Sequence, residues 1–182
     1  MKQFRTSVDE SNVATPRIGG ASEPPEVEVV IEVPRGSFVK RSAIGRIEFV
    51  SPFPCPFNYG AVPTHLGLEG DLLDALVLGP RLGFGARLGF GAHTRVKAWG
   101  AVTLTDRGMS DDKLICSHHP PTQAECDGVL RFFHFYARCK GLLNVFRLRP
   151  GRNACDGWRG ARQALARARP ITDAWTGSSV PF

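Results

Sequence analysis

The sequence has no apolar run that approaches the ~20 residues needed to cross a lipid bilayer. Its first ten residues, Met1 to Glu10, contain no apolar segment of the kind found in secretory signal peptides. We therefore expect a cytoplasmic protein with no membrane partner. Hydrophobic residues make up 42% of the 182 residues and charged residues 22%, which is enough apolar material to build the core of one domain.

The chain also lacks the cysteine and glycine patterns of several functional classes. Its five cysteines are odd in number and form no C-x-x-C pair, which argues against a disulfide framework and a zinc ribbon. Neither G-x-G-x-x-G nor G-x-x-x-x-G-K-[ST] occurs, so nucleotide-binding loops of these types are excluded. A tandem hexapeptide, R-L-G-F-G-A at residues 81–86 and 87–92, indicates a local duplication within a surface loop.

Acidic residues are scarce in the C-terminal third. Residues 131–182 contain ten basic residues but only Asp156 and Asp173 on the acidic side, so the excess of positive charge that gives the chain its net charge of +6 lies entirely there. A basic surface attracts polyanions. This leaves one alternative function open, that of a catalytically inactive module that binds nucleic acid or another polyanion through residues 131–169.

Short strands alternate with Gly- and Pro-containing turns through most of the chain. The predicted strands cover residues 28–33, 45–50, 58–63, 75–78, 96–104 and 113–116. Two helices are predicted later, from Asp127 to about Leu143 and from Arg159 to Ala168. The first has an apolar stripe formed by Val129, Phe132, Phe133 and Tyr136. Many strands followed by two helices indicate an α+β, mainly β protein, built as an antiparallel barrel or sandwich.

Composition divides the chain into three parts. Residues 1–25 are polar and contain several Gly and Pro, so we predict a flexible N-terminal leader. Residues 26–170 contain the predicted strands and helices and form the domain. Residues 171–182 are predicted to be a C-terminal tail.

Two acidic segments suggest metal chemistry. The first is E-G-D-L-L-D, residues 69–74, and the second contains Asp106, Asp111 and Asp112, followed by Lys113. Either segment alone is also typical of a solvated turn. Together they offer the oxygen ligands that Mg²⁺ prefers. Two ions ~4 Å apart can activate a water and stabilise both ends of a phosphoryl displacement.

These segments and several others make the sequence resemble the soluble, single-domain inorganic pyrophosphatases. The matching segments are collinear over about residues 27–168. They are V-V-I-E-V-P-R-G-S at 29–37, Lys40, F-N-Y-G at 57–60, E-G-D-L-L-D at 69–74, the set Asp106, Asp111 and Lys113, F-F-H-F-Y at 132–136, and Gly157-Trp158. The resemblance implies a five-stranded OB-like antiparallel barrel with two C-terminal helices and a site at the barrel mouth.

The resemblance also implies an activity and a role for each matched residue. The activity is Mg²⁺-dependent hydrolysis of inorganic diphosphate to two orthophosphates by in-line attack of a metal-bridged water, with Asp71 taking the proton. The implied metal-binding residues are Glu32, Glu69, Asp71, Asp74, Asp106 and Asp111. The implied catalytic residues are Asp71, Lys40, Tyr59 and Tyr136. The implied substrate-binding residues are Lys40, Arg46, Lys113, Tyr136 and Lys140.

The chain departs from the family pattern at a few of these positions. Glu69 stands where the family has aspartate, Ser42 where it usually has glutamate, and Cys55 where tyrosine is common. Ala137 stands where the family has a lysine, and Arg138 or Lys140 can supply that charge from the next helical turn. The family's arginine after the second strand has no clean match, and Arg46 is the nearest cation.

The expected partner is inorganic diphosphate, and the resemblance implies a homo-oligomer. Nucleic acid is not an expected partner of such an enzyme. A second alternative also stays open, namely another Mg²⁺-dependent phosphohydrolase that acts on polyphosphate or nucleotides.

Overall fold

A computed structural model of the chain describes residues 23–41, 46–83, 92–146 and 151–171. The predicted leader, apart from residues 23–25, most of the tail and most of the duplicated hexapeptide lie outside these ranges. Within them the elements are β1 (Glu26–Val33), β2 (Val39–Arg41), β3 (Ile47–Val50), β4 (Asn58–Leu66), β5 (Leu72–Val77), β6 (Ala92–Asp106), β7 (Met109–Ser117), α1 (Gln123–Phe146), β8 (Ala154–Arg159), α2 (Ala161–Arg167) and β9 (Arg169–Pro170).

Five strands pair in a closed ring. Strand β1 is antiparallel to both β4 and β6, β4 is antiparallel to β5, and β6 is antiparallel to β7. The ring closes through a parallel pairing of β5 with β7, the one parallel pair in what the sequence indicated as an antiparallel barrel. The five-stranded, mainly β architecture with two helices is confirmed. Strand β8 extends the sheet beside β6, and β2 and β3 form a separate hairpin.

The inner face of the ring holds one apolar core. Because side chains alternate between the two faces of a strand, every second residue of the ring strands points inward. This core comprises Val27, Val29, Ile31, Val62, Leu73, Ala75, Val77, Val96, Ala98, Ala101, Leu114 and Cys116, with Ala161, Ala164 and Ala168 from the α2 segment. Helix α2 therefore closes the ring with small side chains that allow close approach.

The outer face of the ring holds a second core beneath α1. Leu76, Val102 and Ile115 from the ring pack with Val129 and Phe133 of the helix. This confirms the predicted apolar stripe of α1, in which Val129 and Phe133 are buried. Phe132 is half-buried, and the last predicted member of the stripe, Tyr136, is 40% exposed.

Helix α1 begins four residues before the predicted start because of its N-cap. The backbone N–H of Glu125 donates to Thr122 Oγ1 at 3.3 Å, and the Glu125 carboxylate accepts from the Thr122 backbone N–H at 2.8 Å. This reciprocal pair is a capping box, which the T-x-x-E pattern in the sequence encodes. Helix α2 begins at Ala161 because Arg159 belongs to β8.

The second acidic segment lies on a β-hairpin. Strand β6 ends at Asp106 and β7 begins at Met109, so only Arg107 and Gly108 form the turn. Both turn residues have positive φ, 49° and 86°, as a type I′ hairpin turn requires. Asp111 is therefore held by a strand and its hydrogen-bonded neighbour rather than by a loop. None of the described helices is long and apolar enough to span a membrane.

Candidate metal and anion site

Three carboxylates from separate parts of the chain meet on one side of the ring. Glu69 comes from the β4–β5 turn, Asp74 from β5 and Asp111 from β7, and one oxygen of each lies within 4.8 Å of the others. The parallel register that aligns Ala75 with Leu114 brings β5 and β7 side by side and so produces this meeting. The turn itself is fixed by the Gly67 N–H, which donates to the Asp71 carbonyl at 2.8 Å.

This acidic triad (Glu69, Asp74 and Asp111) lies on the outer face of the ring. Asp74 shares its strand face with Leu76, and Asp111 shares its face with Ile115, and both of these apolar residues pack under α1. Strand alternation thus turns these carboxylates toward α1 and away from the ring interior. The expected position at the barrel mouth stays a prediction.

Lys113 is the counter-charge of the triad. Its side chain is 8% exposed, and its ammonium lies 2.7 Å from an Asp111 oxygen and also contacts Asp74 Oδ2. Burial alone lowers the pKa of Lys113, but its electrostatic interactions with Tyr59, Asp74 and Asp111 outweigh burial and hold the pKa well above its usual value. For Glu69, burial and then the charge of Asp111 raise the pKa. The triad is thus a negatively charged site that cations stabilise.

Tyr59 connects the triad to a second lysine. Its ring centroid lies 6.0 Å from the ammonium groups of both Lys40 and Lys113. Burial raises the pKa of Tyr59 well above its usual value, so its hydroxyl stays protonated and donates to Asp74. Lys40, on β2, also lies 3.3 Å from Glu32 Oε2 on β1.

A cleft next to the triad holds three more of the predicted residues, Asp106, Tyr136 and Lys140. It is lined by Leu104, Thr105, Asp106, Asp111, Tyr136, Ala137, Lys140, Asn153 and Ala154. The Lys140 ammonium lies 2.7 Å from Asp106 Oδ2 and 5.7 Å from the Tyr136 ring centroid. Asn153 and Ala154 were absent from the sequence-based set, since nothing in their local pattern signals a site and only the fold brings them here.

Two predicted residues, Asp71 and Arg46, belong neither to the acidic triad nor to the lining of the cleft. Asp71 is exposed, and it is not part of the acidic group that the described residues form. Arg46 is exposed immediately before β3. Of the departures from the family pattern, Ala137 is buried, Cys55 is half-buried and Ser42 lies outside the described residues. All five cysteines are free, in agreement with the absence of a disulfide framework.

The donor set fits hard divalent cations. It consists of carboxylate oxygens only, which is what Mg²⁺ prefers, rather than the nitrogen and sulfur ligands of zinc. In addition, Asp106 Oδ1 is buried and has no hydrogen-bond partner among the described residues. A buried carboxylate oxygen that accepts no hydrogen bond is costly unless a cation or water satisfies it. Residues Glu69, Asp74 and Asp111, with Asp106 beside them, are therefore suited to hold such ions.

Comparisons with known proteins agree with this geometry. The sequence model of the Pyrophosphatase family, described as inorganic pyrophosphatase, matches residues 29–173. Soluble inorganic pyrophosphatase 2 of Chlamydomonas reinhardtii is 37% identical over 107 residues, which are 54% of this chain and 53% of that protein. The inorganic pyrophosphatase of Gluconobacter oxydans is 32% identical over 118 residues, 60% of this chain and 65% of that protein. The chain thus spans between half and two thirds of these relatives.

The fold comparison is more extensive. The crystal structure of inorganic pyrophosphatase from Thermus thermophilus superposes with a TM-score of 0.60 and 25% identity. The superposition covers 86% of this chain and 94% of the Thermus chain. The similarity of fold therefore extends over most of this chain and nearly all of the Thermus chain.

Proposed function

The chain belongs to the inorganic pyrophosphatase family, and from this we propose that it hydrolyses inorganic diphosphate to two orthophosphates with Mg²⁺ as the metal. The observation that carries the proposal is the acidic triad with lysines on both sides of it. Carboxylates gather metal ions, and the lysines bind the oxygens of a phosphoanhydride that those ions share. A site that only bound an anion would have no reason to gather three carboxylates beside it.

Each residue of the site has a role that follows from its position. Glu69, Asp74 and Asp111 would hold the first metal ion, and Asp106 and Asp111 would hold a further ion on the substrate. Glu32 assists from β1, where it is paired with Lys40. When bound, Mg²⁺ supplies Lewis-acid polarisation of the phosphate oxygens and makes the attacking water more acidic.

Asp71 is the proposed proton acceptor. It is exposed beside the triad, two residues from Glu69 and three from Asp74, so its carboxylate is free to move toward an incoming water. A carboxylate is a sufficient base here because the proton comes from a water already acidified in the site. Asp71 is not among the carboxylates whose oxygens lie within 4.8 Å of one another, which supports a role in proton transfer more than one as a metal ligand.

The cations of the site bind the two phosphate groups. Lys40 and Lys113 each lie 6.0 Å from the Tyr59 ring centroid, and Lys140 lies beside Tyr136 on α1. The Tyr136 hydroxyl donates a hydrogen bond to phosphate, Tyr59 does so when its hydroxyl turns from Asp74, and Arg46 is an exposed cation available to the leaving phosphate. Lys140 takes over the charge that Ala137 lacks, because a residue three positions further along a helix faces the same side.

The polyanion-binding alternative has weaker support. Three arginines of the basic C-terminal third are paired with aspartates inside the protein: Arg152 with Asp156, and Arg159 and Arg167 with Asp112. Cations that are neutralised within the fold attract an external polyanion less strongly.

We further propose that residues 26–170 form one catalytic domain of a cytoplasmic homo-oligomer. Large exposed apolar side chains support the association. The rings of Phe53 and Phe135 are 61% and 55% exposed and contact each other edge-on, with centroids 6.3 Å apart. Exposed apolar clusters of this kind mark association surfaces, and sedimentation of the purified chain will give its oligomeric state.

Orthophosphate release from diphosphate tests the function. The wild-type protein is expected to release two orthophosphates per diphosphate only when Mg²⁺ is present. Asp71→Ala is expected to reduce kcat by about 10²- to 10⁴-fold, the usual contribution of a general base. Asp127→Ala, at an exposed position on α1, is the matched control and keeps the wild-type rate.

Assays with polyphosphate and with nucleoside triphosphates distinguish an inorganic diphosphatase from a phosphohydrolase of broader specificity. Diphosphate should be the best substrate by kcat/KM. A folded wild-type protein that binds Mg²⁺ but releases no orthophosphate from diphosphate would overturn the proposed activity. Equal rates for wild type and Asp71→Ala would remove Asp71 from its role.

A further inference from the structure

A buried aspartate lies between the two site residues of strand β7. Asp111 and Lys113 face α1 on the outer side of the ring, and Asp112 between them points to the opposite side. Asp112 is 5% exposed, and its Cα is paired with that of Thr103 on β6. The carboxylate of Asp112 is therefore remote from the cleft, although its backbone is continuous with both site residues.

Asp112 is held by contacts from three other elements. The Thr103 hydroxyl of β6 donates to its Oδ1 at 2.6 Å, and Arg167 Nη1 of α2 lies 3.2 Å from its Oδ2. Arg159 of β8 lies 3.8 Å from Oδ1 through Nε, which also donates to the Thr103 hydroxyl at 2.9 Å.

Arg167 also forms a hydrogen bond at the start of β7. Its Nη2 donates to the Ser110 hydroxyl at 2.7 Å, one residue before Asp111. Helix α2 thus holds β7 at two points, Ser110 and Asp112, which flank the metal-site carboxylate. A guanidinium that forms two contacts in a planar fork fixes geometry more tightly than a single-point contact.

From these contacts we infer that Asp112 is a positioning residue of the metal site, acting through Arg167 and Arg159 to fix strand β7. The carboxylate of Asp111 and the ammonium of Lys113 must stay within about 0.5 Å of their productive positions. Both lie one peptide from Asp112, so a shift of its backbone moves them both. The charge of Asp112 is what recruits the two arginines, and an uncharged side chain of the same shape leaves them uncompensated.

The inference rests on the proposed function where it predicts a change in kcat. Its prediction of a change in Mg²⁺ binding is independent of that function. Asp112→Asn keeps the shape and an acceptor for Thr103 and removes only the charge. We expect the Mg²⁺ concentration for half-maximal binding, followed calorimetrically, to rise about tenfold. We also expect kcat for diphosphate to fall about tenfold while KM changes less. Arg167→Met, which keeps an apolar stem, should give a shift in the same direction.

The control separates positioning from plain loss of stability. Val29→Ala removes buried volume from the inner core on β1, away from β7. It should lower the thermal midpoint and leave the Mg²⁺ midpoint unchanged when both are measured well below unfolding. The inference is overturned if Asp112→Asn lowers the thermal midpoint but binds Mg²⁺ as the wild type does. If Asp112→Asn does not fold, an unshifted Mg²⁺ midpoint in Arg167→Met, whose side chain is 30% exposed, overturns it instead.

Failure of the proposed function and failure of the inference about Asp112 give different experimental results. A wild-type protein that binds Mg²⁺ without hydrolysing diphosphate contradicts the proposed function, and the Mg²⁺ midpoints of the variants then still decide the inference. A double variant, Asp112→Asn with Arg167→Met, should shift the Mg²⁺ midpoint hardly more than either change alone, since both remove the same ion pair. Additive shifts would contradict action through that pair.

Discussion

The Lys113 ammonium lies 2.7 Å from a carboxylate oxygen of Asp111, two residues earlier on the same strand. Residues two apart on a strand share a face, so the chain places a permanent cation next to its own metal-site carboxylate. Both side chains are 8% exposed. In the absence of metal, the positive charge of Lys113 offsets the repulsion among the carboxylates of the acidic triad.

Lys113→Met tests that role through stability. Removing one partner of a buried ion pair costs about 3–5 kcal/mol, because the remaining charges are left uncompensated. We expect a loss of about this size in the free energy of unfolding without Mg²⁺, measured by urea denaturation. The loss should be smaller with saturating Mg²⁺, since the metal replaces the missing positive charge.

The matched control for Lys113 is Lys97→Met. Lys97 lies 2.9 Å from Glu23, but both side chains are largely exposed, so solvent screens the pair. Lys97→Met should change stability much less, and Mg²⁺ should not alter that change. Equal losses for the two variants would contradict the assignment of Lys113 as the counter-charge.

Mg²⁺ itself is expected to stabilise the protein. A ligand that binds only the folded state adds about 2.7 kcal/mol at one hundred times its Kd. The thermal midpoint should therefore rise with Mg²⁺ and fall again when a chelator is added. Asp74→Asn should remove most of this rise, while Asp127→Asn on the exposed face of α1 should keep it. A midpoint that does not respond to Mg²⁺ in the wild type would exclude metal binding by the triad.

Two glycines have opposite predicted responses to alanine. A Cβ at Gly60 would lie 2.0 Å from the Val30 carbonyl oxygen, because β4 and β1 approach closely there. Gly60→Ala should lower the free energy of unfolding by at least about 3 kcal/mol. A Cβ at Gly128 in α1 meets no atom within 4 Å, so Gly128→Ala should raise it by about 0.5–1 kcal/mol. Losses of similar size at both sites would contradict the described packing.

The capping box of α1 gives a pH-dependent prediction. The hydrogen bonds from the Thr122 backbone N–H and side-chain hydroxyl lower the pKa of Glu125. A lowered folded pKa stabilises the fold above the unfolded value, and the contribution is lost as pH falls through the folded value. Glu125→Gln should cost about 0.5 kcal/mol at pH 7, a small figure because the group is largely exposed.

The difference between wild type and Glu125→Gln should then disappear in acid, since the wild-type carboxyl is itself protonated there. Urea denaturation at pH 7 and at a pH below the usual value of 4.5 measures both ends. Glu26→Gln on β1 removes the same charge from an exposed ion pair with Arg95 and should have a smaller effect at pH 7. A Glu125 effect that is constant with pH would contradict the cap.

Local patterns predicted much of the fold. The apolar stripe of α1 and most of the ring strands follow from side-chain periodicity, which a short stretch of chain contains completely. The predicted start of α1 at Asp127 is four residues too late. It omits the T-x-x-E cap at Thr122, although that signal is local. Strand β8 was missed because Ala154–Arg159 is short and has no clear alternation.

The amino-acid sequence specifies which chemical groups are available: two acidic segments, few lysines, and motifs that resemble one family in the same order. It also specifies the strand periodicity that separates Asp112 from its two neighbours. Which of these groups meet depends on long-range pairing in the folded protein. The parallel β5–β7 pairing joins Asp74 to Asp111 and Lys113, and the closure of the ring by α2 and β8 brings Arg167 and Arg159 onto Asp112. These contacts join residues 37 to 55 positions apart, and such pairings depend on burying the whole core at once rather than on any local pattern.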